Sequence, residues 1–339
     1  MKSIMGNNRE QLLRYSANTD QLFGVRRMVY DDGKAKGAAV YEVRTGSGLC
    51  YDVLADNGLD IGPLSYRGIN VSYLGKPGAV SPFMFFPLEN EFNNIFSGGM
   101  LFTCGLLNTG ESNYDQGQFM PEHGRYHSFP ATETCAGYCE NEEAIVLTGK
   151  VTQGQLFGHN LEIRRKISSE VGQNSIVIED ALYNNSPETV EYMLLYHCNF
   201  AYPFLDESLK LELPECTKVS PGNEQSAGKE IDLRCEFSPP VDGYEERVFF
   251  HDVKGEENHA KLRAFNTALK IGVSLEWTSD TLPHLIEWKS MRSTDYVLGL
   301  EPSTNHVIGR KRAREAGSLM SIEPFGKKNM RVQLSFFDL

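Results

Sequence analysis

Strict alternation of apolar with small or polar residues runs through Leu269-Lys270-Ile271-Gly272-Val273-Ser274-Leu275-Glu276-Trp277-Thr278. A period of two puts successive side chains on opposite faces of an extended chain, so this segment is a strand with one buried face. Leu161-Glu162-Ile163-Arg164-Arg165-Lys166-Ile167 alternates in the same way, less cleanly. Ala144–Gly149 and Arg331–Phe336 also predict strands. Turn clusters separate such runs: Asp31-Asp32-Gly33, Asn184-Asn185-Ser186-Pro187, Pro221-Gly222-Asn223 and Ser238-Pro239-Pro240. Strands that recur this often between turns predict a β-sandwich or barrel.

Helical periodicity is weak, and only Arg9–Tyr15 is a candidate for a short helix ahead of the sheet. Neither a low-complexity linker nor a fixed-period repeat divides the chain. The Ser238–Asp242 stretch is a loop, because strand signal resumes at Arg247. The expectation is an all-β fold of mostly antiparallel strands with few short helices. It forms one domain over residues 1–339, with 1–20 as a short N-terminal extension. Two face-to-face sheets bury the alternating faces and leave a concave surface for a ligand.

The net charge is −12, which repels nucleic-acid phosphates and anionic membranes, so neither is an expected partner. Neither a signal-peptide core nor a bilayer-length apolar run is present. The seven cysteines form no Cys-x-x-Cys pair. They read as reduced thiols in a cytoplasmic protein, mostly buried as small apolar residues. The sequence does not fix the oligomeric state, and a homodimer stays open.

Three segments carry polar chemistry. In Met193-Leu194-Leu195-Tyr196-His197-Cys198-Asn199-Phe200, alternation sets Met193, Leu195, His197 and Asn199 on one face. A face that turns from apolar to His and Asn passes from core to site; the alternative is a core histidine satisfied by a carbonyl. Glu301 ends Tyr296-Val297-Leu298-Gly299-Leu300-Glu301, just before Pro302, and Gly299 on the same face leaves space beside it. Partial desolvation there raises a carboxylate pKa toward that of a useful base; the alternative is a solvated edge glutamate. Glu122-His123-Gly124-Arg125-Tyr126-His127, read as extended, sets His123 and Arg125 on one side. Arg125 offers a fork of donors suited to sugar hydroxyls or a carboxylate. A surface loop is the alternative, as is a metal site from Glu122, His123 and His127.

Other motifs read more simply. The glycines of Gly98–Gly110 lack the order of a nucleotide-binding loop and imply close backbone packing or ligand approach. Gly309-Arg310-Lys311-Arg312-Ala313-Arg314-Glu315 reads as a solvated basic loop, with phosphate reading as the alternative. Phe83-Met84-Phe85-Phe86-Pro87 reads as core, with stacking on a sugar ring as the alternative.

Taken in order, these segments resemble the aldose 1-epimerase (galactose mutarotase-like) superfamily. The resemblance rests on Ala55–Gly62 with Tyr66-Arg67-Gly68, Gly98-Gly99-Met100 with Thr103–Leu106, and Glu122–Arg125 with Pro130-Ala131. It continues through Tyr196–Phe200 with Tyr202-Pro203, then Gly299–Pro302 and Gly309-Arg310. It implies a β-supersandwich with a broad cleft and a monosaccharide or sugar-derivative substrate, without metal or other cofactor. It also implies that Glu301 takes the anomeric hydroxyl proton, His197 protonates the ring oxygen and His123 binds near the reacting centre.

Three departures stand out. Glu246-Arg247 ahead of Val248-Phe249-Phe250 replaces the family's Asp-before-His contact, which makes Glu246 a substrate-binding candidate. The family arginine of the N-terminal third has no clear counterpart, and Arg125 is the candidate for its role. Ile322-Glu323-Pro324-Phe325-Gly326 stands where the family has a Pro-Gly-Glu-like turn. Mutarotation of a free sugar is the leading reading. A carbohydrate-binding protein without turnover is the second, and a metal-dependent sugar isomerase using His123 and His127 the third.

Overall fold

The computed structural model describes residues 9–88 and 91–339. Antiparallel sheets dominate it. An eight-stranded sheet runs in the order Thr132–Cys139, Ala144–Gly154, Asn160–Glu170, Ser175–Asn184, Lys327–Asp338, Ile271–Thr278, His259–Asn266, Leu209–Glu212. A second sheet runs Cys216–Pro221, Arg247–Val253, His284–Arg292, Asp295–Ser303, Val190–Ala201, Met320–Ile322, and Leu101–Leu106 also pairs with Val190–Ala201. A five-stranded sheet runs from Gly24–Val29 to Ile69–Asn70. The strands expected from alternation at 144, 161, 269 and 331 all form, the third starting only at Ile271, after Lys270 with φ +55. The α-helices are short: Arg9–Tyr15, as expected, Phe92–Ile95 and Arg310–Glu315.

The second sheet has two unlike faces. Leu194, Tyr196, Cys198 and Phe200 point into the main core, with Leu298 and Leu300 from the next strand. There they share an apolar cluster with Ile163, Ile178, Leu275 and Leu334 of the eight-stranded sheet. Burying a Leu or Phe side chain stabilises the fold by roughly 1.5–3 kcal/mol, so this face fixes the register of every strand it includes. The opposite face carries Phe102, Cys104, Leu195, Phe250 and Ile286, which form a smaller cluster with Phe92 and Ile95 of the short second helix. His197 and Glu301 lie on that second face, since they alternate with the core residues on their strands.

A buried ion network ties the sheets together behind the site. Arg165 donates to Asp180 from Nε (2.9 Å) and Nη2 (2.7 Å), and to Asp60 from Nη1 (2.9 Å). Tyr196, next to His197, donates to Asp180 at 2.6 Å, and Thr103 donates to Asp60. Burial raises the Asp60 carboxyl to about 6, against the opposing pull of Arg165. Each charge here is hydrogen-bonded to a partner, which offsets the cost of removing it from water.

Three sequence expectations change. The basic Arg310–Glu315 segment is a helix, not a solvated loop. Arg310 is buried against Asp115 and Glu191, and Arg314 pairs with the same two carboxylates, so an acidic chain consumes its own basic cluster. Phe83, on the short 3-10 turn Pro82–Met84, and Phe86 beyond it are exposed rather than in the core. All seven cysteines are free, but only Cys104 and Cys198 are buried. The glycine-rich segment does pack closely: Gly105 has φ +138, and a Cβ there would run into the Met193 carbonyl oxygen.

Candidate functional site

Strand register assembles the site. Leu195 pairs with Ser303 and Asn199 with Gly299, which leaves His197 opposite Glu301. His197 pairs on its other side with Phe102, Glu301 with Ile286, and Ile286 with Phe250. One row therefore crosses five strands as Phe102, His197, Glu301, Ile286, Phe250. Directly opposed residues of antiparallel strands point the same way, so the row faces one side of the sheet. The next row down the strands holds Asn199, Gly299, Trp288 and Val248.

Above these rows lies a cavity of about 330 Å³, within the range of small-molecule sites. His197, Glu301, His123, Glu246, Glu122, Glu111 and Asn223 supply its polar wall. Phe92, Phe96, Trp288, Phe250 and Ile286 supply apolar surface. No lysine or arginine lines it among the described residues.

His197 Nε2 lies 3.3 Å from Glu301 Oε1, without the alignment of a hydrogen bond. His197 is 5% exposed and Glu301 1%. Desolvation pushes the Glu301 carboxyl well above the ordinary carboxylate range, and the nearby Glu246 charge adds to this. Desolvation pushes His197 well below the ordinary imidazole range, helped by His123. Low dielectric disfavours the charged form of each. When ionised, Glu301 is a strong base and the His197 imidazolium a strong acid. Rings surround the His197 imidazole: Phe96 and Trp288 each at 5.4 Å and His123 at 5.9 Å between centroids.

His123 reaches the cavity from a backbone with φ +53, followed by Gly124 at φ +76. The Gly110 N–H donates to its Nδ1, so the neutral ring carries its hydrogen on Nε2 and can donate to a hydroxyl. Desolvation lowers its pKa to about 4, which keeps it neutral. Glu246 lines the cavity and accepts a hydrogen bond from Trp288 Nε1 at 2.7 Å.

Two expected site residues lie elsewhere. Arg125 faces a different cavity, with Gln153, Gln155 and His159. The paired left-handed backbone at His123 and Gly124 breaks the extended geometry that would have put Arg125 beside His123. Gly124 is locked there, since a Cβ would overlap the Gly105 carbonyl. Asn199 is on the right face but fully buried behind His197, donating to the Gly99 and His197 carbonyl oxygens. It holds the strand that presents His197.

The alternative metal set of Glu122, His123 and His127 does not converge among the described residues. His127 is buried among Phe85, Phe92 and Phe102 with neither ring nitrogen bonded.

Trp288, Phe96, Asn223 and Glu111 were not expected at the site. Trp288 had a signal, being one of only two tryptophans and lying in an alternating strand. Phe96 and Asn223 lie in or beside irregular segments, where periodicity carries no direction.

Residues 35–336 match the family model described as a domain of unknown function, DUF4432. The chain belongs to the DUF4432 family. Among curated proteins none matches it by sequence. A Klebsiella pneumoniae structure provisionally named an aldose 1-epimerase superposes with a TM-score of 0.88 at 22% identity, covering 95% of this chain and 86% of that one. A galactose mutarotase-like protein from Clostridium acetobutylicum gives 0.65 at 11% identity, covering 93% and 98%. A galactose 1-epimerase from Lactobacillus acidophilus gives 0.62 at 13%, covering 93% and 98%. At these identities the likeness shows the fold alone: this DUF4432 chain has the galactose mutarotase-like sandwich expected from its sequence. No helix among its described residues is long and apolar enough to cross a membrane.

Proposed function

We propose that this DUF4432 protein is a mutarotase that interconverts the anomers of a free, uncharged sugar. The observation that carries the reading is the buried His197–Glu301 contact of 3.3 Å on the wall of a cavity of monosaccharide scale. Glu301 takes the proton of the anomeric hydroxyl while the His197 imidazolium gives one to the ring oxygen. The bond from the anomeric carbon to the ring oxygen breaks as the carbonyl forms. Rotation of the open chain presents the other carbonyl face. On reclosure His197 recovers its proton from the ring hydroxyl and Glu301 returns its proton to the anomeric oxygen. Protons balance over the cycle and no electrons are exchanged.

The opposite pKa displacements suit these roles, because a desolvated carboxylate is eager for a proton and a desolvated imidazolium eager to lose one. Trp288 and Phe96 offer ring faces for the apolar side of a sugar, and His123 a neutral donor for a hydroxyl. Glu111, Glu122, Glu246 and Glu301, with no lysine or arginine lining the cavity among the described residues, disfavour an anionic substrate.

Anomer exchange of freshly dissolved sugars, followed by NMR, tests the proposal. Glu301→Gln should nearly abolish exchange while sugar affinity stays within about tenfold, since the amide keeps the shape and loses the base. His197→Asn should slow exchange but leave residual turnover, since water partly replaces an acid. Unchanged exchange in Glu301→Gln removes Glu301 as the base. Sugar binding with no exchange in the wild type makes the protein a carbohydrate binder.

A further inference from the structure

We propose a second site on the same sheet face: a divalent transition-metal centre built from Asp252, His284 and His306. These three are the group among the described residues whose possible ligand atoms all lie within 4.8 Å of one another. His284 Nδ1 and His306 Nε2 each approach Asp252 Oδ1 at 2.9 Å. Two imidazoles thus converge on a single carboxylate oxygen. Ligands about 2.0–2.1 Å from a tetrahedral metal sit roughly 3.3 Å apart, so a metal ion fits among these atoms after small side-chain rotations.

The backbone presents the set without distortion. Asp252 pairs with His284 in register, one step along from the Phe250–Ile286 pair that lines the sugar cavity. That step is about 7 Å, so the centre stands beside the cavity wall rather than within it. His306 comes from the loop after the Asp295–Ser303 strand, and its ring stacks on Phe250 at 4.4 Å and 15°. Stacking fixes the plane of the imidazole and aims Nε2 at Asp252. The next residue, Val307, lines the sugar cavity, so metal bound at His306 pins the loop that forms part of the wall.

Two nitrogen donors and one carboxylate oxygen suit zinc, cobalt, nickel, iron(II) or manganese, and not calcium or magnesium, which take oxygen ligands. The side chains are 32%, 22% and 26% exposed for Asp252, His284 and His306. That exposure gives an ion a route in and leaves at least one coordination position to water. The centre takes no part in the proton transfers at Glu301 and His197.

The test is a cobalt(II) titration of the full chain after chelator stripping, read by visible d–d absorption and by thermal melting. One cobalt per chain is expected, with a raised melting temperature, since a ligand that binds only the folded state stabilises it. His306→Gln and Asp252→Asn should each bind cobalt at least about tenfold more weakly, because losing even an outer-shell partner costs 10–100-fold. Glu301→Gln should bind it as the wild type does. A wild type that binds no cobalt overturns the proposal without recourse to any variant. So does binding unaffected by both ligand substitutions, or weakened only by Glu301→Gln.

Discussion

Gly299 and Glu301 stand two residues apart on one face of the same strand, and the Glu301 carboxylate occupies the space a Gly299 side chain would take. A Cβ at Gly299 would overlap Glu301 Oε1 and stand 3.2 Å from Trp288 Cβ. Oε1 is also the atom that faces His197. The absence of one methyl group therefore positions the proposed base.

Gly299→Ala is expected to push the carboxylate away from His197 while the strand stays formed, since Gly299 does not have a left-handed backbone. Displacement of a reacting group by about 1 Å costs on the order of a hundredfold in rate. Overpacking costs about 1–3 kcal/mol of stability. Anomer-exchange rates and thermal melts of the variant check this. A folded variant with wild-type exchange would show that the position of Oε1 is unimportant.

Substrate charge follows from the cavity lining. Glucose and galactose should be turned over at least about tenfold better, in kcat/KM, than glucose 6-phosphate or glucuronate, because like charges brought together in a cavity are strongly disfavoured. A competition measurement over these four sugars decides it. Preference for either anion would reverse the reading of the four glutamates.

Arg165 should be the most sensitive residue in the fold away from the cavity. Arg165→Met leaves Asp60 and Asp180 buried without their shared cation. Removing one partner of a buried network destabilises by about 3–5 kcal/mol. Urea midpoints of the two proteins measure this. A loss below about 1 kcal/mol would mean that the carboxyls are readily neutralised by protons instead.

The partly buried histidine His123 makes stability depend on pH in a defined direction. Its folded-state pKa of about 4 lies below the ordinary 6.5. Between these values the unfolded chain binds the extra proton and the folded chain does not, so stability falls as pH drops from about 6.5 to about 4. His123→Asn, which tolerates the left-handed backbone, should lose less stability than the wild type over that interval. Equal losses would assign the acid sensitivity to other groups, His127 among them, whose pKa is lowered to about 3.

Alternation in the sequence determined the sheet architecture and which residues share a face, because a two-residue period is a local property of extended backbone. It sets His197 with Asn199 and Gly299 with Glu301 without recourse to any tertiary contact. Family resemblance then singled out His197, Glu301 and His123. Register between distant strands decided what followed, since it depends on which apolar faces bury together and not on local sequence. It set His197 against Glu301, brought Trp288 and Glu246 to the cavity, and gathered Asp252, His284 and His306 from separate segments. Where the chain leaves regular structure, periodicity has no purchase. The left-handed turn at His123 and Gly124 sent Arg125 to another cavity, and the short Arg310–Glu315 helix carried Arg310 into a buried ion network. Side-chain direction in those segments is set by backbone packing, and only the folded molecule decides it.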